Sequence, residues 1–172
     1  SGNFSIRREV LLEVGGFDEA FRLYGNEDLE LSLRLTKAGV TNIYNKDAVA
    51  YQHYTKNFNA LARDTIAKGQ TAVLLASKYP EAFCDLQLST YLQGKFLWRI
   101  LRTGLLWLSQ QWTVIPSSVI RFITWFEEHH PRQRMLYYRL ALDYCYWLGA
   151  LEALRENRRA GHGLISLTGR VI

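Results

Sequence analysis

The chain has 172 residues, a formal charge of +5 and 48% hydrophobic residues, enough for one core of ordinary size and too apolar for a disordered chain. Cys84 and Cys145 are the only cysteines and stand far apart, which excludes a disulfide framework and a cysteine metal site and fits a reducing compartment. The basic balance and an aromatic share of 13% point to an anionic partner, a phosphosugar or a membrane face. No nucleic acid is expected, because the basic residues are scattered and no recognition motif accompanies them.

In chain order, Gly2 to Ile6 alternates as a short strand would, and Arg8 to Val14 carries Val10, Leu11 and Val14 at helical spacing up to a stop at Gly15-Gly16. A loop then leads to Asn26, the expected cap of a helix that reaches Ala38 and ends at Gly39. The leucines at 29, 31, 33 and 35 alternate, but the charged residues between them and the terminal glycine favour a helix buried over a wide arc. Thr41–Tyr44 and Ala48–Tyr51 read as extended segments around an Asn45-Lys46-Asp47 turn, and Asn57 caps a helix that runs to Tyr79 before Pro80. Beyond Glu81 the pattern becomes helical throughout, over Lys95–Ser109, Ser118–Glu128 and Arg132–Asn157, with breaks near Pro116 and Pro131. The expected architecture is therefore an α/β piece over residues 1–85 followed by a helical extension over residues 86–172.

One stretch carries chemistry: Val14-Gly15-Gly16-Phe17-Asp18-Glu19, then Tyr24-Gly25-Asn26-Glu27-Asp28-Leu29-Glu30-Leu31, then Arg34-Leu35 and Gly39. It resembles the GGFDE…EDxxLxxRLxxxG pattern of family 2 glycosyltransferases, with Gly2 to Arg8 and Ala50-Tyr51-Gln52-His53 in the family's order. A looser likeness, Asp143 to Gly149, resembles the Tyr-Trp-x-Gly element of some bacterial members. The resemblance implies the C-terminal half of a GT-A domain and an inverting transfer of a sugar from a nucleotide-sugar donor to a glycan or lipid-linked acceptor at the cell surface. No DxD motif precedes Glu27-Asp28, so on this reading the nucleotide-binding half is absent and the isolated chain is expected to be inactive.

An acceptor hydroxyl is a poor nucleophile until a carboxylate takes its proton, and a carboxylate in the first turn of a helix is held ionised by free N–H groups. By resemblance Asp28 is the candidate base and Glu27 orients acceptor or donor, with Tyr24, Gly25 and Asn26 as substrate-binding candidates. Acidic residues at a helix start are common as plain dipole partners, and the surrounding motif is what turns the reading toward catalysis. His53 is the implied ligand for Mn²⁺ or Mg²⁺ in the complete enzyme, whereas Arg34 reads as a structural ion-pair partner. His129-His130 and His162 carry little functional weight.

In the extension, Lys95, Arg99 and Arg102 recur as one basic stripe beside Leu97, Ile100, Leu101, Leu105 and Leu108, with Trp98 and Trp107 nearby. That pattern suits a helix lying in the headgroup region of an anionic membrane, and equally a bundle packed on another domain. The alternative function is thus a non-catalytic module binding a membrane or partner. No segment has the length and apolar character of a transmembrane helix, and the expected location is cytoplasmic, with peripheral attachment to the inner membrane face left open.

Overall fold

The computed structural model describes residues 3–53, 55–129 and 134–159. Among these residues six α-helices follow in order: α1 (Arg8–Glu13), α2 (Glu27–Lys37), α3 (Phe58–Lys78), α4 (Phe96–Gln111), α5 (Val114–His129) and α6 (Arg134–Arg159). Two 3₁₀ segments, Pro80–Asp85 and Gln87–Thr90, link α3 to α4. His130, Pro131 and His162 lie outside the described residues.

The expectation of an α/β fold, the C-terminal part of a GT-A domain, is overturned: among the described residues there is no strand and no sheet. The described residues of the segments read as strands form no ladder. Alternating side chains make a strand only when a neighbouring backbone supplies the ladder, and none of the described residues does so. Asn3 Nδ2 donates to the Ala48 carbonyl at 2.8 Å and links the first of these stretches to the last. The turn at 45–47 does form, with the Asp47 amide donating to Asn45 Oδ1 at 3.0 Å.

The core is built on α3 and α6. Phe58, Ala62, Ala72, Val73, Leu75 and Ala76 of α3 are buried against Tyr144, Cys145, Tyr146, Trp147, Leu148 and Ala150 of α6. The small residues let the backbones meet. A Cβ on Gly69 would stand 2.0 Å from the Tyr146 carbonyl oxygen, and one on Gly149 would stand 2.0 Å from that of Ile66. No side chain fits at either position, so the two glycines set the distance between the central helices. The same hydrophobic cluster takes in Leu86, Leu88, Leu106 and Ile123, and so runs across the boundary expected near residue 85.

Local signals read correctly where they were self-contained. Asn57 Oδ1 accepts from the Ala60 amide at 3.0 Å and starts α3. Gly15 and Gly16 both adopt positive φ and end α1, the Gly16 amide closing on the Leu11 carbonyl at 2.9 Å. α2 is a helix despite its alternating leucines, with Leu31 and Leu35 buried and Leu29 and Leu33 packed on the core cluster. Pro116 lies in the first turn of α5, where its missing N–H costs nothing, so the helix begins two residues before it.

A second polar centre fixes α4. Asp143 on α6 accepts from Trp98 Nε1 at 2.7 Å, Arg102 Nη1 at 3.0 Å and Trp147 Nε1 at 3.1 Å. Arg102 is only 3% exposed, donates also to the Tyr91 carbonyl, and lies over the Tyr91 and Trp147 rings. The three-residue basic stripe expected on α4 is therefore corrected: Arg102 faces inward, and Lys95 and Arg99 remain as its accessible cations.

Candidate active site at the start of α2

The loop before α2 is anchored by side chains that the sequence presents as ordinary polar residues. Asn26 occupies the N-cap position of α2 with φ 68° and makes no side-chain cap. Its Nδ2 donates instead to the Lys68 carbonyl at 3.0 Å and to Thr71 Oγ1 at 2.9 Å, which pins the start of α2 onto α3. Asn26 therefore spends its amide donors on the scaffold. Gly25, with φ 100°, brings the loop against Lys68, whose Cγ would lie 3.1 Å from an added Cβ. Tyr24 is exposed and carries the Lys56 ammonium 5.0 Å from its ring centre.

The far end of the anchor is a charged cluster. Glu30 is 1% exposed and receives Arg34 through two hydrogen bonds of 2.7 Å and the Tyr79 hydroxyl at 2.9 Å. Arg34 also donates to the carbonyls of Val14 at 2.5 Å and Gly16 at 2.6 Å, so it is the structural ion-pair partner that ties the Gly-Gly turn to α2. The Glu30 hydrogen bond raises the pKa of Arg34, and burial, with the same carboxylate, raises that of Tyr79. The loop itself is held by Asp18, whose carboxyl is pulled below its usual range by the Lys78 ammonium and the Ala20 amide.

Between these anchors, Asp28 lies in the wall of a cleft of about 920 Å³. Its other walls come from segments 3–6 and 40–48, from α2 and from the loop after α1, with Asn3, Ser5, Ser32, Thr41, Asn42 and Asn45 contributing amides and hydroxyls and Phe4 and Phe17 apolar surface. Burial works against the ionised form of Asp28, and the Leu29 amide, donating to Oδ1 at 2.8 Å, works for it. Glu27 is not in the cleft wall. Its Oε2 is buried without a hydrogen-bond partner among the described residues.

The candidates thus separate. Asp28 faces the cleft, Gly25 and Asn26 position it, and Tyr24 is exposed at the loop. His53 is exposed on the extended segment and is not among the cleft-lining residues. Among the described residues no group of three or more His, Cys, Asp or Glu side chains gathers as a metal site would require. One imidazole suits Mn²⁺ but supplies one ligand of several, so the fit is incomplete. Of the cleft's amides and hydroxyls, those of Thr41, Asn42 and Asn45 come from a segment with no motif of its own, whereas Asn3 and Ser5 lie in the stretch before α1 and Ser32 lies on α2. The Glu30–Arg34 pair was visible only as an i,i+4 spacing.

The model of the glycosyltransferase-like family 2 matches residues 1–93, more than half of the 172 residues. The chain belongs to this family. No curated protein and no solved structure matches it. The matched stretch contains the whole cleft, the Glu30–Arg34 anchor and all of α3. As a family 2 glycosyltransferase-like chain it is a transferase in broad class, and the family implies a nucleotide-sugar donor and an acceptor.

Proposed function

We propose that this chain carries the acceptor side of an inverting glycosyl transfer to a surface glycan or lipid-linked sugar, with Asp28 as the general base. One observation supports the reading above the others: a carboxylate in the first turn of α2 lines a cleft rimmed by amide and hydroxyl side chains. Such a rim suits a polyol. Hydroxyls of a sugar exchange hydrogen bonds with Asn, Ser and Thr groups, while aromatic rings such as those of Phe4 and Phe17 offer apolar faces to the C–H side of a pyranose.

The step balances simply. The acceptor oxygen forms its bond to the anomeric carbon as its proton passes to the Asp28 carboxylate, and the bond from that carbon to the phosphate oxygen breaks from the opposite face. The nucleoside diphosphate leaves with the electron pair. A positioned base of this kind contributes about 10²–10⁴-fold to rate. Glu27, outside the cleft wall, acts behind Asp28 as a positioning residue, and Tyr24 stands at the exposed edge of the loop. His53 is the candidate ligand should the reaction use Mn²⁺ or Mg²⁺.

The polypeptide as its gene encodes it should be incubated with a panel of nucleotide sugars and with oligosaccharide or polyprenyl-phosphate sugar acceptors. Nucleoside diphosphate released only when an acceptor is present supports the proposal. Its absence across the panel, in a folded sample that binds the donor, opposes it.

A further inference from the structure

The helix α4 leaves a broad apolar surface uncovered. Phe96, Leu97, Ile100, Leu101 and Trp107 are all more than half exposed, Leu97 reaching 80%. At 3.6 residues per turn, Phe96 through Leu101 cover an arc of about 140°. The opposite side of the helix is fully occupied, with Leu106 in the core and Arg102 held by Asp143. The exposed stripe is thus the outer face of a firmly seated helix, and a shallow groove of about 520 Å³ runs along it past Arg99, Gly104 and Trp107.

Charge decides what covers this face. From Leu86 to Phe126 the sequence holds no Asp or Glu, while Lys95, Arg99, Arg102 and Arg121 all fall within that stretch. Arg102 is consumed inside, but Lys95 and Arg121 are exposed and Arg99 half-buried at the groove. An interface with a protein usually mixes both signs. A run of apolar and aromatic side chains with cations and no carboxylate in its own stretch of chain matches the two layers of an anionic bilayer surface, acyl chains below and phosphates above. No helix among the described residues is long and apolar enough to cross a membrane, which leaves an in-plane arrangement.

We propose that the outer face of α4 docks flat on an anionic phospholipid bilayer, its apolar stripe in the acyl boundary and Lys95, Arg99 and Arg121 on lipid phosphates. This rests on the surface alone and stands whether or not Asp28 is a base. The test is co-sedimentation of the chain with vesicles of phosphatidylcholine, with and without phosphatidylglycerol. Binding is expected on the anionic vesicles and should fall by about thirtyfold in Lys95→Ala/Arg99→Ala, from roughly a factor of five per cation near a charged surface.

A second variant guards against misfolding. A Cβ on Gly104 meets nothing within 4 Å, so Gly104→Glu places a carboxylate in the stripe without disturbing the fold. It should abolish sedimentation while the circular dichroism spectrum is kept and the melting temperature is not lowered. No binding by the parent chain, equal binding to neutral and anionic vesicles, or full binding by Gly104→Glu would each overturn the proposal. So would a stable dimer in sedimentation velocity that Gly104→Glu dissolves, since a second copy would then be the occupant.

Discussion

Adding one methyl group at Gly149 should be among the most damaging small changes in this chain. In Gly149→Ala the new Cβ would lie 2.0 Å from the Ile66 carbonyl oxygen, in backbone that has no rotamer to relieve it. A carbon and an oxygen need over ~3 Å, so α3 and α6 must part or slide by roughly 1 Å at their crossing. That loosens Tyr146, Trp147, Leu75 and Ala72, the most buried part of the core. Overpacking of this kind costs about 1–3 kcal/mol or more, and the better helix propensity of alanine returns about 1 kcal/mol. Because the clash is with backbone, the cost lies at the upper end, about 3 kcal/mol, so the expected net loss is about 2 kcal/mol, which for a domain of this size lowers Tm by roughly 4–8 °C. Gly104→Ala is the control: the same propensity gain applies and nothing lies within 4 Å, so it should stabilise the chain by about 0.5–1 kcal/mol. Thermal and urea melts followed by circular dichroism measure both. A Gly149→Ala protein as stable as the parent would refute the close helix crossing.

The Glu30 cluster makes a graded prediction. Tyr79→Phe removes one hydroxyl donor from a buried carboxylate and should cost about 1–2 kcal/mol, whereas Glu30→Ala leaves Arg34 without its partner and should cost about 3 kcal/mol; equal losses in urea melts would contradict the pairing. Asp18 should add a small pH dependence. Its folded pKa is depressed by Lys78, so its stabilisation is present above the ordinary Asp value near 4 and is lost as pH falls through the lower folded value; in Asp18→Asn that part of the acid loss, under about 1 kcal/mol for so exposed a pair, should vanish from the melts. For His53, the metal proposal expects His53→Ala to raise the Mn²⁺ concentration that half-activates transfer, and an unchanged Mn²⁺ titration would remove the ligand role.

Elements whose reasons lie within a few neighbouring residues were legible from the sequence. The Asn57 cap, the Gly15-Gly16 stop and the helix carrying Leu31 and Leu35 each follow from side chains within one or two turns. What failed depends on distant partners. Residues 2–6, 41–44 and 48–51 read as extended, but a strand is a relation between two backbones and composition cannot supply the second. Asn26 looked like a cap, yet its amide is drawn to Lys68 and Thr71, more than 40 residues away. Arg102 kept its place in a basic stripe until Asp143, on another helix, turned it inward. In the same way Asp28 stands out by its motif, while Thr41, Asn42 and Asn45, which share its cleft, come from the segment after α2 and carry no such signal.

The central claim is that Asp28 takes the acceptor's proton, and Asp28→Asn tests it most directly. The exchange keeps the size of the side chain and its hydrogen bond from the Leu29 amide while removing the basic oxygen. Turnover should be measured in the polypeptide as its gene encodes it, against a nucleotide sugar that the parent uses, with donor binding followed separately by calorimetry. A loss of at least about 100-fold in kcat, with donor affinity nearly unchanged, is the predicted result. Turnover equal to the parent's would contradict the account and leave the cleft as a binding surface without its base.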